Sequence, residues 1–332
     1  MNNSAYPALI RQIGHLLQSG RERAAFAVNN VLVQTYWEIG QFIVEYEQKG
    51  NDKAAYGTLL LERLASDLTT AYGKGFSRSN LSYMRKSYFT FPICETQSHK
   101  LTWSHYFEIL KADNDLEIGF YTKQTEIEKW SVRELKRQMK SMLFHRLALS
   151  TDKEGVLELA RDGHEVQSPA DLIKDPFGLE FLNIPEQYQY HENELEQKLI
   201  DNLQQFLLEL GKGFAFIGRQ YSISLSGKHF YVDLVFYHRI LKCFVLIDLK
   251  RGEIDHQDIG QMNLYLNYFK KEEATEGDNE PVGIILGAYK DHVLVEYATA
   301  SITNQILLSK YQLYLPDKEL LEKQLSRLIK QD

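Results

Sequence analysis

Apolar residues recur at intervals of three and four through most of the first 150 positions. Ala25, Val28, Leu32, Tyr36, Ile39 and Ile43 keep this spacing within 22–48, and Leu59, Leu60, Leu64 and Leu68 keep it within 54–72. Both stretches are therefore predicted to be helices with one buried face. A shorter helix, 8–17, precedes them, and Gly50, Asn51 and Asp52 form a turn between the two long ones. Ser77 is a good N-cap for a helix over 78–88, which Phe91 and Pro92 end. Amphipathic helices follow at 98–111, at 115–128 and, behind a Ser131 cap, at 132–147. The periodicity then fades, and the polar stretch 151–175 reads as a linker.

Beyond 176 the pattern changes character. Positions 192–210 are still helical, with Leu199, Ile200, Leu203, Phe206, Leu207 and Leu210 on one face and Gly211 as the C-cap. Then come short runs rich in Val, Ile, Phe and Tyr at 214–224, 231–237, 243–250 and 282–288, which read as strands, with a brief fifth at 293–297. The runs 231–237 and 243–250 are almost continuously apolar, so both faces of their sheet are expected to be covered. Helical spacing returns at 256–269 and 318–330. The expected architecture is an α+β two-domain chain: an all-α domain over 1–150, the linker 151–175, and an α/β domain with a mixed central sheet over 176–332.

Composition supports two globular domains: 332 residues, 44% hydrophobic, with 7 prolines. No stretch approaches the ~20 apolar residues of a membrane span, and the start lacks a basic segment followed by an apolar one. Cys94 and Cys243 lie in different halves and make neither a disulfide framework nor a zinc quartet, which suits a reducing cytoplasm. The net charge of −7 speaks against nucleic acid until it is divided along the chain. Residues 1–150 hold 19 Lys and Arg against 15 Asp and Glu, whereas the remainder holds 19 against 30. A basic front half and an acidic rear half are compatible with a DNA-facing domain joined to a metal-using one.

The helix over 78–88 follows a short glycine-containing turn after another helix, the outline of a helix-turn-helix. From Lys74 to Ile93 there are four basic residues and no acidic one. Two readings fit. Arg78, Ser79, Asn80, Tyr83, Arg85 and Lys86 would form the DNA-facing surface of a recognition helix, or the helix is an ordinary surface element. Arg133, Lys136, Arg137 and Lys140 on 132–147 surround Glu134 and read as a solvated face. Arg219 and Gln220, near the middle of the first strand, either reach DNA phosphate or face solvent.

The candidate chemistry sits on two adjacent strands. Asp233 interrupts the first, Asp248 the second, and Lys250 ends it. An unpaired buried carboxylate costs several kcal/mol, so these acids need a cation or solvent. Asp248 and Lys250 share one strand face, and Asp233 approaches it if the strands form a hairpin. Two acids and a lysine at a sheet edge can hold a hard divalent cation with a water beside it; a plain Asp248–Lys250 salt bridge is the simpler alternative. On 256–269, Gln257, Gln261, Tyr265 and Tyr268 share a face, which either positions water and phosphate or packs into the core. On 192–210, Glu196 falls inside the apolar stripe, where a carboxylate requires a partner.

Val232–Asp233, fourteen residues, then Asp248–Leu249–Lys250 resembles the bipartite core of the PD-(D/E)xK nuclease superfamily, with valine in place of the loosely kept proline. Gln261-x3-Tyr265 resembles the Q-x3-Y element of its RecB-like members. The stretches LLELGKGFAFIGRQ (207–220), YVDLVFYHR (231–239), LIDLKRG (246–252), HQDIGQMNLYLNY (256–268) and, in the front half, YWEIG (36–40), GFSRSNLSYMR (75–85) and WSVRELKRQM (130–139) are similar to the YhcG-type nuclease family. The resemblance implies a helix-turn-helix or winged-helix-like front domain and a restriction-endonuclease-like rear domain. It further implies a Mg²⁺-dependent DNA endonuclease, with Mn²⁺ able to substitute, that leaves a 5′-phosphate. Asp233, Asp248, the Leu249 carbonyl and Glu196 would hold the metal. Lys250, Gln261 and Gln257 would act on water or the scissile phosphate, and Tyr265 would contact DNA. Cutting both strands would call for a homodimer. The competing expectation is a DNA- or protein-binding module on a catalytically idle scaffold.

Overall fold

The computed structural model describes residues 5–49, 55–91, 100–149, 153–174, 176–184, 191–288, 305–314 and 318–330. The chain divides into two compact units, Met1–Lys136 and Arg137–Asp332.

In the first unit, helix α1 runs unbroken over Ala5–Lys49, where two helices (8–17 and 22–48) were expected. Gly20 does not end it. An interior glycine costs only about 1 kcal/mol relative to alanine, and Gln18 bonds Glu22 at 2.7 Å across that turn. Helices α2 (Ala55–Tyr72) and α3 (Arg78–Thr90) pack with the second half of α1 around Ile43, Leu61, Leu81 and Met84. Gly40 permits the α1–α3 crossing, because a Cβ there would lie 2.1 Å from the Met84 carbonyl oxygen. Gly73 and Gly75 take positive φ in the α2–α3 turn, and the Ser77 hydroxyl accepts from the Asn80 amide at 3.2 Å, as a cap should. Helices α4 (Trp103–Ile109) and α5 (Asp115–Glu128) follow. No strand occurs among the described residues of this unit, so a winged form of the helix-turn-helix is not seen there.

The second unit takes in more of the chain than its predicted start at 176. The expected helix 132–147 is two: α6 (Val132–Lys140) and α7 (Leu143–Ala148), parted where Met142 adopts φ 52°. Arg137 and Arg146 converge on the fully buried Glu209 at 2.9 and 2.6 Å, and the Gly178 amide also donates to it. The presumed linker carries α8 (Lys153–Asp162) and a 3₁₀ turn (Pro169–Leu172), which bury Val156, Leu159 and Leu172. Ten residues are too few for the period to stand out in sequence.

Six strands form the mixed sheet in the order β1-β6-β5-β4-β3-β2: β1 Phe177–Gly178, β2 Phe214–Leu225, β3 Lys228–His238, β4 Cys243–Leu249, β5 Val282–Gly287 and β6 Gln305–Gln312. β2, β3 and β4 pair antiparallel; β4, β5, β6 and β1 pair parallel. One face is covered by α9 (Glu192–Asp201) and α10 (Leu203–Leu210), through Leu195, Leu199, Phe206 and Leu210. The predicted single helix 192–210 breaks at Asn202. The other face is covered by α11 (His256–Tyr268), through Ile259, Met262 and Leu266. Gly283 of β5 lets α11 approach, since a Cβ there would meet Met262 Cγ at 2.5 Å. Helix α12 (Lys318–Lys330) occupies the predicted span. The expected strand 293–297 and Cys94 lie outside the described residues.

Candidate active site

The site forms where β3 and β4 stop pairing. Their register runs from His238↔Cys243 to Leu234↔Ile247. One step further, the Leu249 amide donates to the Asp233 side chain (Oδ2, 2.8 Å), so a carboxylate replaces a backbone carbonyl as the acceptor. Alternation along β3 slips at this point. Val232 and Val235, three residues apart, both pack in the α11 layer, whereas Leu234 and Phe236 pack in the opposite one. Opposite the slip on β2 stands Gln220, whose φ is 45°. Its Nε2 donates to Asp233 Oδ1 at 3.1 Å and to Glu196 Oε2 at 2.6 Å. Glu196 comes from α9 and is 6% exposed.

On β4, Ile247 and Leu249 face the α9–α10 layer, which turns Asp248 toward α11. Lys250 Nζ forms an ion pair with Asp248 Oδ2 at 2.9 Å. It also lies 3.3 Å from Asp258 Oδ1 in the first turn of α11. Asp255 and Asp258 close a capping box there, in which Asp258 Oδ2 accepts from the Asp255 amide. Helix capping thus aims the other Asp258 oxygen at the lysine.

Burial, reinforced by the charge of Asp233, pushes the Asp248 carboxyl up to about 7. Burial also raises Asp233, against the Leu249 N–H that favours its ionised form. For Lys250 burial works the other way, yet Asp248, Asp258 and Glu192 outweigh it, so the ammonium is held charged. A buried acid and a half-buried neighbour that resist joint ionisation are a hard-oxygen donor set suited to a divalent cation. Among the described residues, however, no three His, Cys, Asp or Glu side chains stand ready-made around one metal position. Gln220, the Leu249 amide and Lys250 take up the acids' oxygens instead.

The structure thus brings Asp233, Asp248, Lys250, Glu196 and the Leu249 backbone together. Gln261 is near the rim and donates to the Tyr265 hydroxyl, which in turn donates to the Tyr231 carbonyl at 3.0 Å. Tyr265 is fully buried, so its place is the core beneath the site rather than a DNA surface. Gln257 is exposed, and its backbone amide helps cap α11. Arg219 is exposed but donates to Gln197 at 2.6 Å. In the first unit, Arg78 and Ser79 are exposed, with Arg78 3.6 Å from Glu62. The rest of that candidate surface is engaged internally. Asn80 bonds the Gly75 carbonyl and accepts from Trp103, Tyr83 packs at a tilt against Phe107, Arg85 pairs with Glu47 at 2.9 Å, and Lys86 donates to the Leu110 and Ala112 carbonyls. Sequence reasoning passed over Asp258, which looks like a mere cap residue. It set Gln220 toward DNA phosphate or solvent, whereas the side chain serves Asp233 and Glu196.

A mixed sheet between helical layers, with two acids and a lysine where the β3–β4 ladder ends and a glutamate from the preceding helix, defines the second unit as a PD-(D/E)xK-type nuclease domain. Comparison with known proteins agrees. Residues 170–326 match the YhcG PDDEXK nuclease domain and residues 12–146 the DUF1016 N-terminal domain. The chain belongs to the YhcG nuclease family: it is 37% identical to the Escherichia coli (strain K12) protein described as "Putative nuclease YhcG", over 98% of this chain and 94% of that one. Two solved structures show partial likeness. A repair endonuclease from Pyrococcus abyssi matches 40% of this chain and 50% of its own (22% identity, TM-score 0.27). EndoMS in complex with double-stranded DNA matches 41% and 51% (14% identity, TM-score 0.28).

Proposed function

We propose that the chain is a Mg²⁺-dependent DNA endonuclease in which Mn²⁺ can replace Mg²⁺, working in the cytoplasm. The observation that carries this reading is buried Asp248 next to half-buried Asp233 and Lys250, two acids that are costly to ionise together without a cation. Asp233, Asp248, Glu196 and the Leu249 carbonyl would hold the metal. The bound ion supplies Lewis acidity toward a phosphate oxygen and acidifies a water. Asp258 and Asp248 keep Lys250 protonated, so its task is to donate to the attacking water or to the charge that develops on phosphorus, not to remove a proton. Gln261, and Gln257 one turn earlier, would orient water or the scissile phosphate from the rim.

DNA rather than another phosphodiester is favoured by the basic front half, where Arg78 and Ser79 offer an exposed phosphate-binding turn at the start of α3. Cutting two strands calls for two copies of the chain, and α1 offers the means. Tyr6, Ile10, Ile13, Leu17 and Val31 lie exposed along one uncharged seam of alternating fours and threes, the spacing by which a helix pairs with its own copy.

Incubating the purified chain with linear, nicked and branched DNA in Mg²⁺ or Mn²⁺ tests the reading. Cleavage lost in Asp233→Ala, and lost in Lys250→Ala with Mn²⁺ binding retained, is expected. The removed lysine contribution is on the order of 10²–10⁴ in rate. DNA left intact by the parental protein in both metals would defeat the proposal.

A further inference from the structure

We propose that Gln220 is the positioning residue of the acidic cluster: its carboxamide holds Glu196 and Asp233 in place for a divalent cation. The inference rests on the nuclease reading and deepens it by adding a residue that touches neither metal nor substrate.

Three features of Gln220 point the same way. Its φ of 45° lies in the left-handed region, in the interior of a strand whose flanking residues pair regularly as Arg219↔Leu234 and Tyr221↔Val232. Side chains avoid that region, and glutamine is not among the residues that tolerate it best. Strain of this kind persists where the surroundings over-determine the conformation, characteristically at functional sites. The turn also falls opposite Asp233, where alternation along β3 slips, so the two strands bend together at one rung. Finally, the strained backbone directs the amide nitrogen to Asp233 Oδ1 and Glu196 Oε2 at once.

The choice of side chain follows from the chemistry of its two partners. Ionised carboxylates only accept hydrogen bonds, so Glu196 and Asp233 left side by side would repel. A primary amide offers two donors and no charge. Lysine or arginine at 220 would satisfy the same oxygens but repel an incoming cation, and asparagine is one methylene shorter. Glycine would adopt the backbone without strain yet supply no donor. Among these, glutamine alone bridges the acids while leaving the cluster negative toward a metal. Partners that orient ligating side chains typically contribute 10–100-fold to metal affinity.

The test uses full-length Gln220→Ala, Gln220→Gly and Gln220→Lys. Mn²⁺ affinity is measured by calorimetry, melting temperature in chelator, and nicking as a function of Mn²⁺. Ala and Gly should weaken Mn²⁺ binding equally, by about 10-fold or more, while Gly melts above Ala because it alone relieves the backbone. Saturating Mn²⁺ should restore the cleavage rate of both. Lys should melt at or above the parental temperature and bind Mn²⁺ worst. Should Ala not fold, Gly carries the comparison. Parental Mn²⁺ affinity in both Ala and Gly overturns the assignment. Failure of the parental protein to bind Mn²⁺ overturns it too, and is visible in that titration alone as a failure of the nuclease reading.

Discussion

Replacing Asp248 by Asn should stabilise the metal-free protein at neutral and alkaline pH. The side chain is 2% exposed, and burial together with the Asp233 charge lifts its carboxyl from an ordinary 3.8 to about 7. A folded-state value above the unfolded one means that the folded protein binds the extra proton between these limits, so stability falls as pH rises from about 4 to about 7 and stays low above. At about 1.4 kcal/mol per unit, the loss amounts to roughly 4 kcal/mol at most. Lys250 is already counted in that figure, and Asp258 remains to pair with it. Asn keeps the shape and removes the charge, so at pH 8 in chelator the variant should be more stable by up to about 4 kcal/mol. For a domain of this size that is on the order of 10 °C in melting temperature. At pH 4 the two proteins should melt together. Mn²⁺ at pH 8 should raise the parental melting temperature and leave the variant nearly unmoved, because a cation relieves only the ionised pair. Scanning calorimetry across pH with and without Mn²⁺ reads all of this. An Asn variant that melts below the parent at pH 8 in chelator would refute this account of buried Asp248 and its neighbour Asp233.

Glu209→Gln should cost about 3–5 kcal/mol, since it removes the counter-charge of buried Arg146 and Arg137; urea unfolding measures it. Although burial opposes it, Arg146, Lys174 and Arg137 hold the Glu209 carboxyl down at about 2, so its contribution is present above pH 4.5 and fades as pH falls from there toward 2. Arg78→Ala should weaken DNA binding and flatten its salt dependence. Lys86→Ala should lower thermal stability by about 1–3 kcal/mol with the salt slope unchanged, because its ammonium serves two carbonyls. Ile13→Asp with Leu17→Asp should turn a dimer into a monomer by light scattering while the first unit stays folded, since neither side chain belongs to its core; a parental protein that is already monomeric at micromolar concentration refutes the paired seam.

The sequence made the second unit's centre legible because strong local signals agreed there. Nearly continuous apolar runs gave β3 and β4, a helical face gave α11, and charged residues inside apolar runs marked Asp233, Asp248, Lys250 and Glu196. Elements with diluted signals went unread. α8 is ten residues long, β1 has two, and β6 carries Ser309 and Lys310 in its interior. The basic character of α3 was real but ambiguous, because charge composition does not say whom a cation serves: Glu47 and two helix-terminal carbonyls claim Arg85 and Lys86. Tyr265 illustrates the same limit for a helix face, since its ring is core while its hydroxyl donates to the Tyr231 carbonyl of β3. Gln220 was read as facing DNA phosphate or solvent, and its place at the acids was beyond reach for a different reason. Its role depends on a positive φ and on a slip in the partner strand, and neither leaves a mark on composition or period.

These donors differ in what they allow the acids to do. The Leu249 amide belongs to the sheet, so it fixes Asp233 Oδ2 and leaves Oδ1, held by a side chain rather than by the backbone, as the oxygen that can turn to a cation. Gln220 Nε2 divides its donors between that Oδ1 and Glu196 Oε2. Both of those donors are neutral. Among the described residues of the cluster the cation is Lys250, and it sits on Asp248, which the Asp233 charge makes hard to ionise. Charge compensation is therefore concentrated on the α11 side, where Asp258 draws the lysine, while the α9 side keeps two carboxylates bridged by an amide that adds no charge. In the proposed reaction a divalent ion would be drawn to the side of the cluster that the protein has satisfied but not neutralised, reaching Asp248 from the Glu196–Asp233 flank, with Lys250 beside it for the water and the phosphate.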